Sequence, residues 1–241
     1  MKLFYETYRD DIKLSTLLRE LSWSNNLIIL SKSKSVQEKE FYMNLCIKEK
    51  YSARELNRQI SSCIYERTVL SPKLTLAVSQ TNTLPFKDTY VLEFLNLPEE
   101  FDEKDLRKAL VKNFKNFVLE LGKDFALVGE EFRIQVGNND YYIDLLFYHR
   151  ELRCLVAIEL KIDDFKPEYN GKLNFYLEAL DRDVKKKHEN PSVGIILCKT
   201  KDKEVVEYSL SRNLTPALIA EYKMKLIDKK ILRKKLHELT S

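Results

Sequence analysis

Residues 141–161 read Tyr-Tyr-Ile-Asp-Leu-Leu-Phe-Tyr-His-Arg-Glu-Leu-Arg-Cys-Leu-Val-Ala-Ile-Glu-Leu-Lys. Two runs of apolar, β-branched and aromatic residues flank a charged stretch at 149–153, and this pattern predicts a strand hairpin. Each run carries an acidic residue, Asp144 in the first and Glu159 in the second, and Lys161 follows two positions later. Because side chains alternate along a strand, Glu159 and Lys161 lie on the same face.

The two acids of this hairpin are expected to lie close together. Antiparallel pairing about Glu151 sets Asp144 opposite Ile158, one position from Glu159, and a modest twist or bulge brings the carboxylates together. Two carboxylates inside a sheet are costly to desolvate unless a cation lies between them. Mg²⁺ accepts one or two carboxylates and completes its shell with water and phosphate, so the pair predicts a Mg²⁺ or Mn²⁺ site. The ordinary alternative is that both acids end their strands and pair with Lys161 or an arginine.

The element order on either side of the hairpin predicts the fold class. An acidic cluster at 99–103 opens a long helix that ends near Leu121, and residues 125–136 form a strand bent at Gly129. After the hairpin come a helix from Pro167 to about residue 187, an apolar strand at 193–198, a helix at 203–210 and a last strand at 217–222. Helix, three strands, helix, strand, helix, strand is the order of an α/β sandwich with a mixed sheet.

The same residues carry a resemblance to a known family. Ile143-Asp144 followed by Glu159-Leu160-Lys161 resembles the PD-(D/E)xK nuclease signature. Residues 143–150, 155–161, 171–177 and 180–181 are similar to the YhcG-type PD-(D/E)xK family, and the likeness extends from about Leu17 to Tyr222. This resemblance implies an α/β fold with a restriction-endonuclease-like mixed-sheet core flanked by helices and preceded by a small helical N-terminal domain.

The resemblance also implies an activity, the metal-dependent hydrolysis of DNA phosphodiester bonds. Asp144 and Glu159 would bind Mg²⁺ or Mn²⁺, and Lys161 would position the attacking water or stabilise the developing negative charge. Glu120, on the helix before the sheet, matches the place of a further metal-binding glutamate in related nucleases. Its position in the last turn of a helix is equally compatible with an exposed surface glutamate.

Five further residues are candidates for contact with nucleic acid. Arg133 in the first core strand could reach the scissile phosphate, as an arginine does in some related nucleases, or pair with Glu131 at the rim. Lys172 and Asn174, on the helix that follows the hairpin, could face the active cleft. Arg54 and Arg58 lie in the N-terminal domain.

The N-terminal domain, residues 1–70, is predicted to be helical. Ser35 and Ser52 each precede a glutamate by three residues, which is the spacing of a capping box. The segment resembles the family's winged-helix-like DNA-binding module in a shortened form, with Arg54 and Arg58 on phosphates. The alternative is an ordinary packing domain whose arginines are solvated. We expect a linker at 71–88, the nuclease domain at 89–223 and a lysine-rich helical tail at 224–241.

Composition narrows the function classes. The chain has 241 residues, of which 44% are hydrophobic and 32% are charged, with a net charge of +4. This is typical of a globular protein and permits a nucleic-acid partner without requiring one. The four cysteines are scattered without a zinc-type pair, so we expect reduced thiols and a cytoplasmic location. No apolar run approaches the roughly 20 residues that a membrane span needs, so we expect no membrane span.

Three functional hypotheses remain open at this stage. The first is a DNA nuclease, for which the resemblance allows a homodimer. The second is a nucleic-acid-binding or interaction protein that retains the nuclease core without turnover. The third is an enzyme acting on small phosphoesters, although the chain lacks a glycine-rich phosphate loop.

Overall fold

A computed structural model describes residues 12–70, 86–211 and 216–226, together with Leu232, and it describes side chains from Thr16 onward. The chain divides into two compact units, residues 1–70 with 226–241 and residues 71–225. Among the described residues, no helix has both the length and the apolar character needed to cross a membrane. The predicted linker lies largely in residues 71–85, outside the described residues, as does most of the predicted lysine-rich tail.

The described part of the first unit is helical, as predicted. Its helices are α1 (Ile12–Arg19), α2 (Trp23–Lys32), α3 (Val36–Glu49), α4 (Ala53–Ser61) and α5 (Ile64–Leu70). Serines 22, 35 and 52 cap α2, α3 and α4 by accepting a backbone N–H bond, and Ser52 forms a complete capping box with Glu55. The helices bury a common core that includes Ile29, Tyr42, Met43, Leu56 and Ile60.

The second unit is an α/β domain. Its elements are β1 (Thr89–Val91), α6 (Glu103–Lys112), α7 (Phe114–Leu121), β2 (Phe125–Val136), β3 (Asn139–His149), β4 (Cys154–Leu160), α8 (Pro167–Ala179), β5 (Asn190–Cys198), α9 (Lys203–Leu210) and β6 (Ala217–Lys223). A 3₁₀ turn at Glu93–Leu95 follows β1, and a π-helical turn at Leu180–Val184 extends α8.

The strands form one six-stranded sheet in the order β1-β6-β5-β4-β3-β2. Pairing is antiparallel for β2–β3 and β3–β4 and parallel for the other three pairs, which confirms the predicted mixed sheet. Each face has its own buried cluster: one includes Leu106, Leu110, Phe117 and Leu121 of α6 and α7, and the other includes Leu173 and Leu177 of α8. Every residue of β4 is buried, as expected of a strand covered on both faces.

The predicted long helix at 99–121 is in fact two helices. It begins only at Glu103, where Asp102 and Asp105 form a capping box. Asn113 leaves the helical conformation between α6 and α7 (φ −101°, ψ 29°). The sequence interpretation also missed β1, because three residues are too few to show a period and the strand exists only through its pairing with β6.

The hairpin register differs by one residue from the prediction. His149 pairs with Cys154 and Leu145 with Ile158, so the turn comprises the four residues 150–153 and its centre lies between Glu151 and Leu152. The predicted hairpin is centred on a single residue, Glu151, so a centre between two residues shifts every pairing partner by one. The position after the Leu145–Ile158 pair therefore sets Asp144 opposite Glu159 rather than Ile158. The two acids are closer than the predicted register implies.

Candidate active site

Asp144 on β3 is held by two donors. Its Oδ2 accepts a hydrogen bond from the backbone N–H of Leu160 at 2.9 Å, and its Oδ1 accepts one from Arg107 Nη1 at 3.0 Å. Because Leu160 is the neighbour of Glu159 on β4, this backbone bond fixes the Asp144 carboxylate beside Glu159. The side chain of Asp144 keeps limited access to solvent.

Glu159 on β4 is buried, with 1% of its side chain exposed. Its Oε1 accepts a hydrogen bond from Lys172 Nζ and forms an ion pair with Lys161 Nζ at 3.3 Å, whereas its Oε2 is buried without a hydrogen-bond partner among the described residues. Burial, and then the charge of Asp144, raise the pKa of Glu159, while Lys172 and Lys161 oppose this shift. A buried acceptor without a hydrogen bond is costly, so this oxygen is available to a water molecule or a cation.

The two carboxylates fit a hard divalent cation. The β3–β4 pairing ends at Leu145 and Ile158, and Asp144 and Glu159 are the next residue on each strand. The unsatisfied Oε2 of Glu159 provides an oxygen ligand of the kind that Mg²⁺ and Mn²⁺ prefer. In the part of the chain that the structure describes, no group of three or more His, Cys, Asp or Glu side chains is arranged to hold a metal. Water and substrate oxygens would therefore supply most of the coordination shell.

Lys161 is buried at the end of β4 beside the acids. Its Nζ donates to both carboxylate oxygens of Glu103, at 3.0 and 2.9 Å, and lies 5.2 Å from the ring centroid of Tyr169. Burial lowers the pKa of Lys161, but the hydrogen bond to Glu103 and the charge of Glu159 outweigh it and raise the pKa above its usual value. The ammonium therefore stays protonated at neutral pH.

These contacts link Asp144, Glu159, Lys161, Lys172, Glu103 and Arg107 into one group, the acid–lysine cluster. Glu120 does not join this cluster. It is fully buried at the end of α7, where its Oε1 accepts a hydrogen bond from Val91 N at 3.1 Å and lies 3.7 Å from Lys87 Nζ. Val91 belongs to β1, which is separated from β4 by two strands. The predicted role of Glu120 as a metal ligand is thus not supported by its described contacts, whereas Glu103, at the start of α6, reaches Lys161.

Of the residues predicted to contact nucleic acid in the α/β unit, Lys172 contacts a carboxylate of the acid pair, whereas the described contacts of Asn174 and Arg133 lie elsewhere. Lys172 lies at the site, with its Nζ on Glu159 and over the ring of Tyr176. Asn174 hydrogen-bonds Asn170 on its own helix. Arg133 does not pair with Glu131; it is exposed and pairs with Asp140 at 2.8 Å.

Arg54 and Arg58 lie on α4 of the helical unit, the first exposed and the second half-buried. The described contacts test no phosphate-binding role for either arginine, so that role stays a prediction.

Two residues of the cluster were missed by sequence reasoning. Glu103 and Arg107 are four residues apart on α6, a spacing that places them on one helix face. Glu103 reaches Lys161, and Arg107 bridges Asp144 and Glu131. The available signal was weak: both residues flank the buried Leu106 stripe, where charged residues are ordinarily read as solvated.

Comparison with known proteins shows the family of this chain. Residues 83–237 match the family described as the YhcG PDDEXK nuclease domain, and residues 1–67 match the DUF1016 N-terminal domain. The chain is 37% identical over 211 residues to "Putative nuclease YhcG" of Escherichia coli (strain K12). That alignment covers 84% of this chain and 56% of the relative, so the chain spans about half the length of the curated relative it matches.

Similar solved structures include a repair endonuclease from Pyrococcus abyssi, with 17% identity and a TM-score of 0.35 over 52% of this chain and 50% of that one. A second is an EndoMS–dsDNA complex, with 15% identity and a TM-score of 0.37 over 52% of this chain and 48% of that one. The family match alone covers more than half of the chain, and it includes β1 to β6 and every residue of the acid–lysine cluster. The chain belongs to the YhcG PDDEXK nuclease domain family.

Proposed function

We propose that this protein is a metal-dependent nuclease that hydrolyses DNA phosphodiester bonds with Mg²⁺ or Mn²⁺. The observation that carries the proposal is the buried Glu159, which has one unsatisfied oxygen, faces Asp144 across two paired strands and lies 3.3 Å from Lys161. Membership of a nuclease family supports the reaction type. The choice of DNA as the substrate rests on the family resemblance described above.

Asp144 and Glu159 would hold the cation. When bound, the cation would polarise the phosphoryl group and lower the pKa of a water molecule. The contacts of both carboxylates fit this role. The Leu160 N–H and Arg107 orient Asp144. Lys161 and Lys172 both contact Oε1 of Glu159 and leave its Oε2 available.

Lys161 would act on the reacting phosphate itself. Its protonated ammonium lies between Glu103 and Glu159, so it could donate to a water or to a non-bridging phosphate oxygen by exchanging one of these contacts. Lys172, which is about half-exposed, can contact a neighbouring phosphate from α8.

Several further features belong to the same proposal. Exposed Arg133, Arg54 and half-buried Arg58 would add phosphate contacts away from the acids. A homodimer would place two sites on one duplex and allow both strands to be cut. The four buried cysteines form no disulfide among the described residues, which suits the reducing cytoplasm in which we propose the protein acts.

The test is cleavage of labelled single-stranded, duplex and branched DNA in Mg²⁺ and in Mn²⁺. Asp144→Asn, Glu159→Gln and Lys161→Ala should each reduce cleavage by about 100-fold or more, because each removes a group that acts on developing charge. Glu120→Gln is the matched control: it also neutralises a buried glutamate, but one outside the cluster, and it should cut normally. Normal cleavage by Lys161→Ala would refute the mechanism.

A specific observation favours the second candidate, a nucleic-acid-binding protein without turnover. The acids already have protein cations, since Arg107 pairs with Asp144 and two lysines pair with Glu159. An ion-pair network of this kind can be stable without metal. DNA binding by the wild-type protein with no cleavage in either metal would support this candidate over the nuclease.

A further inference from the structure

Arg107 lies between two carboxylates of very different exposure. Its own side chain is only 10% exposed, with Nη1 at 3.0 Å from Asp144 Oδ1 and Nη2 at 2.7 Å from Glu131 Oε1. Asp144 belongs to the acid pair and is largely shielded, whereas the side chain of Glu131 is 60% exposed. Nη1 of the guanidinium therefore contacts the shielded Asp144, and Nη2 contacts the solvent-exposed Glu131.

The backbone of β2 is distorted at Glu131. Its neighbours Glu130 and Phe132 pair regularly with Leu145 and Ile143 of β3, but Glu131 has φ +43°, a conformation that non-glycine residues rarely adopt. By this register, Glu131 falls in the same row of the sheet as Asp144. Backbone strain confined to one residue beside an active site is typical of positions with a functional task.

The chemistry of the contact between Arg107 and Glu131 indicates a function for this position. A guanidinium binds carboxylate and phosphate oxygens with the same planar N–H geometry. An ion pair to an exposed carboxylate contributes little net free energy, so an incoming phosphate can replace it readily. The pair between Arg107 and Asp144 is shielded and stays in place, which keeps the guanidinium oriented.

We infer that Arg107 binds a phosphate of the nucleic acid at the active site, and that Glu131 occupies the phosphate position when no nucleic acid is bound. This inference rests on the proposed function, since it assumes a nucleic-acid substrate at the Asp144–Glu159 pair. It assigns to Arg107 the phosphate contact that the sequence suggested for Arg133, whose described partners are Asp140 and Gln135 rather than residues of the site.

Glu130 provides a matched control for testing this exchange. It is also exposed, lies next to Glu131 on β2, and carries the same charge. Glu130→Gln and Glu131→Gln therefore change the long-range attraction of DNA equally, but only the second releases Arg107.

The experiment measures the Kd of the full chain for a short fluorescein-labelled DNA duplex by anisotropy, in Ca²⁺, with the DNA checked on a gel to be intact. Glu131→Gln should bind about two- to fivefold more tightly than Glu130→Gln, which is the cost of breaking one exposed ion pair. In an Arg107→Lys background this advantage should disappear, because lysine cannot bridge two partners as a planar fork. Thermal melting shows whether each variant is folded, and if Arg107→Lys is not, the two glutamine variants still decide the question.

Equal affinity of the two glutamine variants would overturn the inference, as would an advantage that persists in the Arg107→Lys background. The readout is binding, so its failure differs from failure of the proposed function. Cleavage without the difference between Glu131→Gln and Glu130→Gln would remove only the phosphate role of Arg107. If the two variants differ in affinity but the protein does not cleave DNA, only the proposed nuclease activity would be rejected. If the protein does not bind DNA at all, both the nuclease activity and the phosphate role of Arg107 would be rejected.

Discussion

Glu159 and Arg133 illustrate how the exposure of a single side chain limits what its charge can do. Glu159 is 1% exposed and has one oxygen without a hydrogen bond, so a cation that reaches this oxygen would stabilise the carboxylate. Arg133 is 54% exposed, and its pair with Asp140 is screened by solvent. Chemistry at the residue scale is therefore concentrated on the shielded members of the cluster, Asp144, Glu159, Lys161 and Arg107.

Burial also makes a prediction for the cysteines. All four are buried thiols, and burial raises the pKa of Cys154 and of Cys198 to about 12. Because the thiolate is the reactive form, the native protein should react only slowly with a thiol reagent at pH 8, while all four cysteines should react at once in guanidinium.

The same pKa shift has a consequence for stability. As pH rises above about 8.5 the unfolded chain loses its thiol protons, whereas the folded chain keeps those of Cys154 and Cys198, so stability should fall with increasing pH. Rapid labelling of Cys154 or Cys198 in the native protein, located by mass spectrometry, would contradict their burial.

At the scale of elements, the packing of α8 on the sheet depends on one missing side chain. Gly194 lies in the buried part of β5, where an added Cβ would come within 2.5 Å of Leu173 Cδ2. Leu173 is itself fully buried on α8, the helix that also carries Lys172 to Glu159. The close approach of α8 to β5 thus supports both the core and the position of a site lysine.

Gly194→Ala should therefore destabilise the protein by about 1–3 kcal/mol, because buried Leu173 has little room to move away. Gly171→Ala is the matched control on α8 itself: an added Cβ there has no heavy atom within 4 Å, and alanine should stabilise the helix by about 0.5–1 kcal/mol. Urea denaturation measures both changes. If the Gly194→Ala loss is fully additive with that of Leu173→Ala, the proposed clash between the two positions is wrong.

At the scale of the whole molecule, the two compact units carry different candidate functional residues. The α/β unit contains the entire acid–lysine cluster, with contributions from α6, β3, β4 and α8. The helical unit carries Arg54 and Arg58, and residues 1–67 match a separate N-terminal domain family. A ligand of the cluster is therefore expected to act on the stability of the α/β unit.

This expectation predicts metal-dependent thermal stability. A cation at about ten times its Kd should stabilise the folded state by about 1.4 kcal/mol, which corresponds to a rise in Tm of about 3–5 °C for a chain of this size. Scanning calorimetry with Mn²⁺, with Mg²⁺ and with EDTA measures the effect. Asp144→Asn should abolish it and Glu120→Gln should preserve it; an equal rise in Asp144→Asn would place the bound metal elsewhere.

The sequence by itself determined the features that depend on local pattern. The strand at 125–136 and its bend near Gly129, the apolar strand at 193–198 and the last strand at 217–222 agree with β2, β5 and β6, because alternation and unbroken apolar runs are properties of short segments. The hairpin and its acid–acid–lysine pattern were equally readable, since charged residues inside two apolar strands stand out against the runs around them.

Only the tertiary structure decided which other residues meet those acids. Glu103 and Lys161 are 58 positions apart, and Arg107 and Asp144 are 37 apart, so their contacts depend on how α6 packs on the sheet and not on any local period. The break at Asn113 divides the predicted long helix into α6 and α7. The four-residue turn at 150–153 sets the register of β3 against β4. The pairing of β1 with β6 creates the edge strand of the sheet. These long-range choices exclude Glu120 and Arg133 from the cluster and bring in Glu103 and Arg107, because contacts between distant segments are set by how the elements pack as a whole.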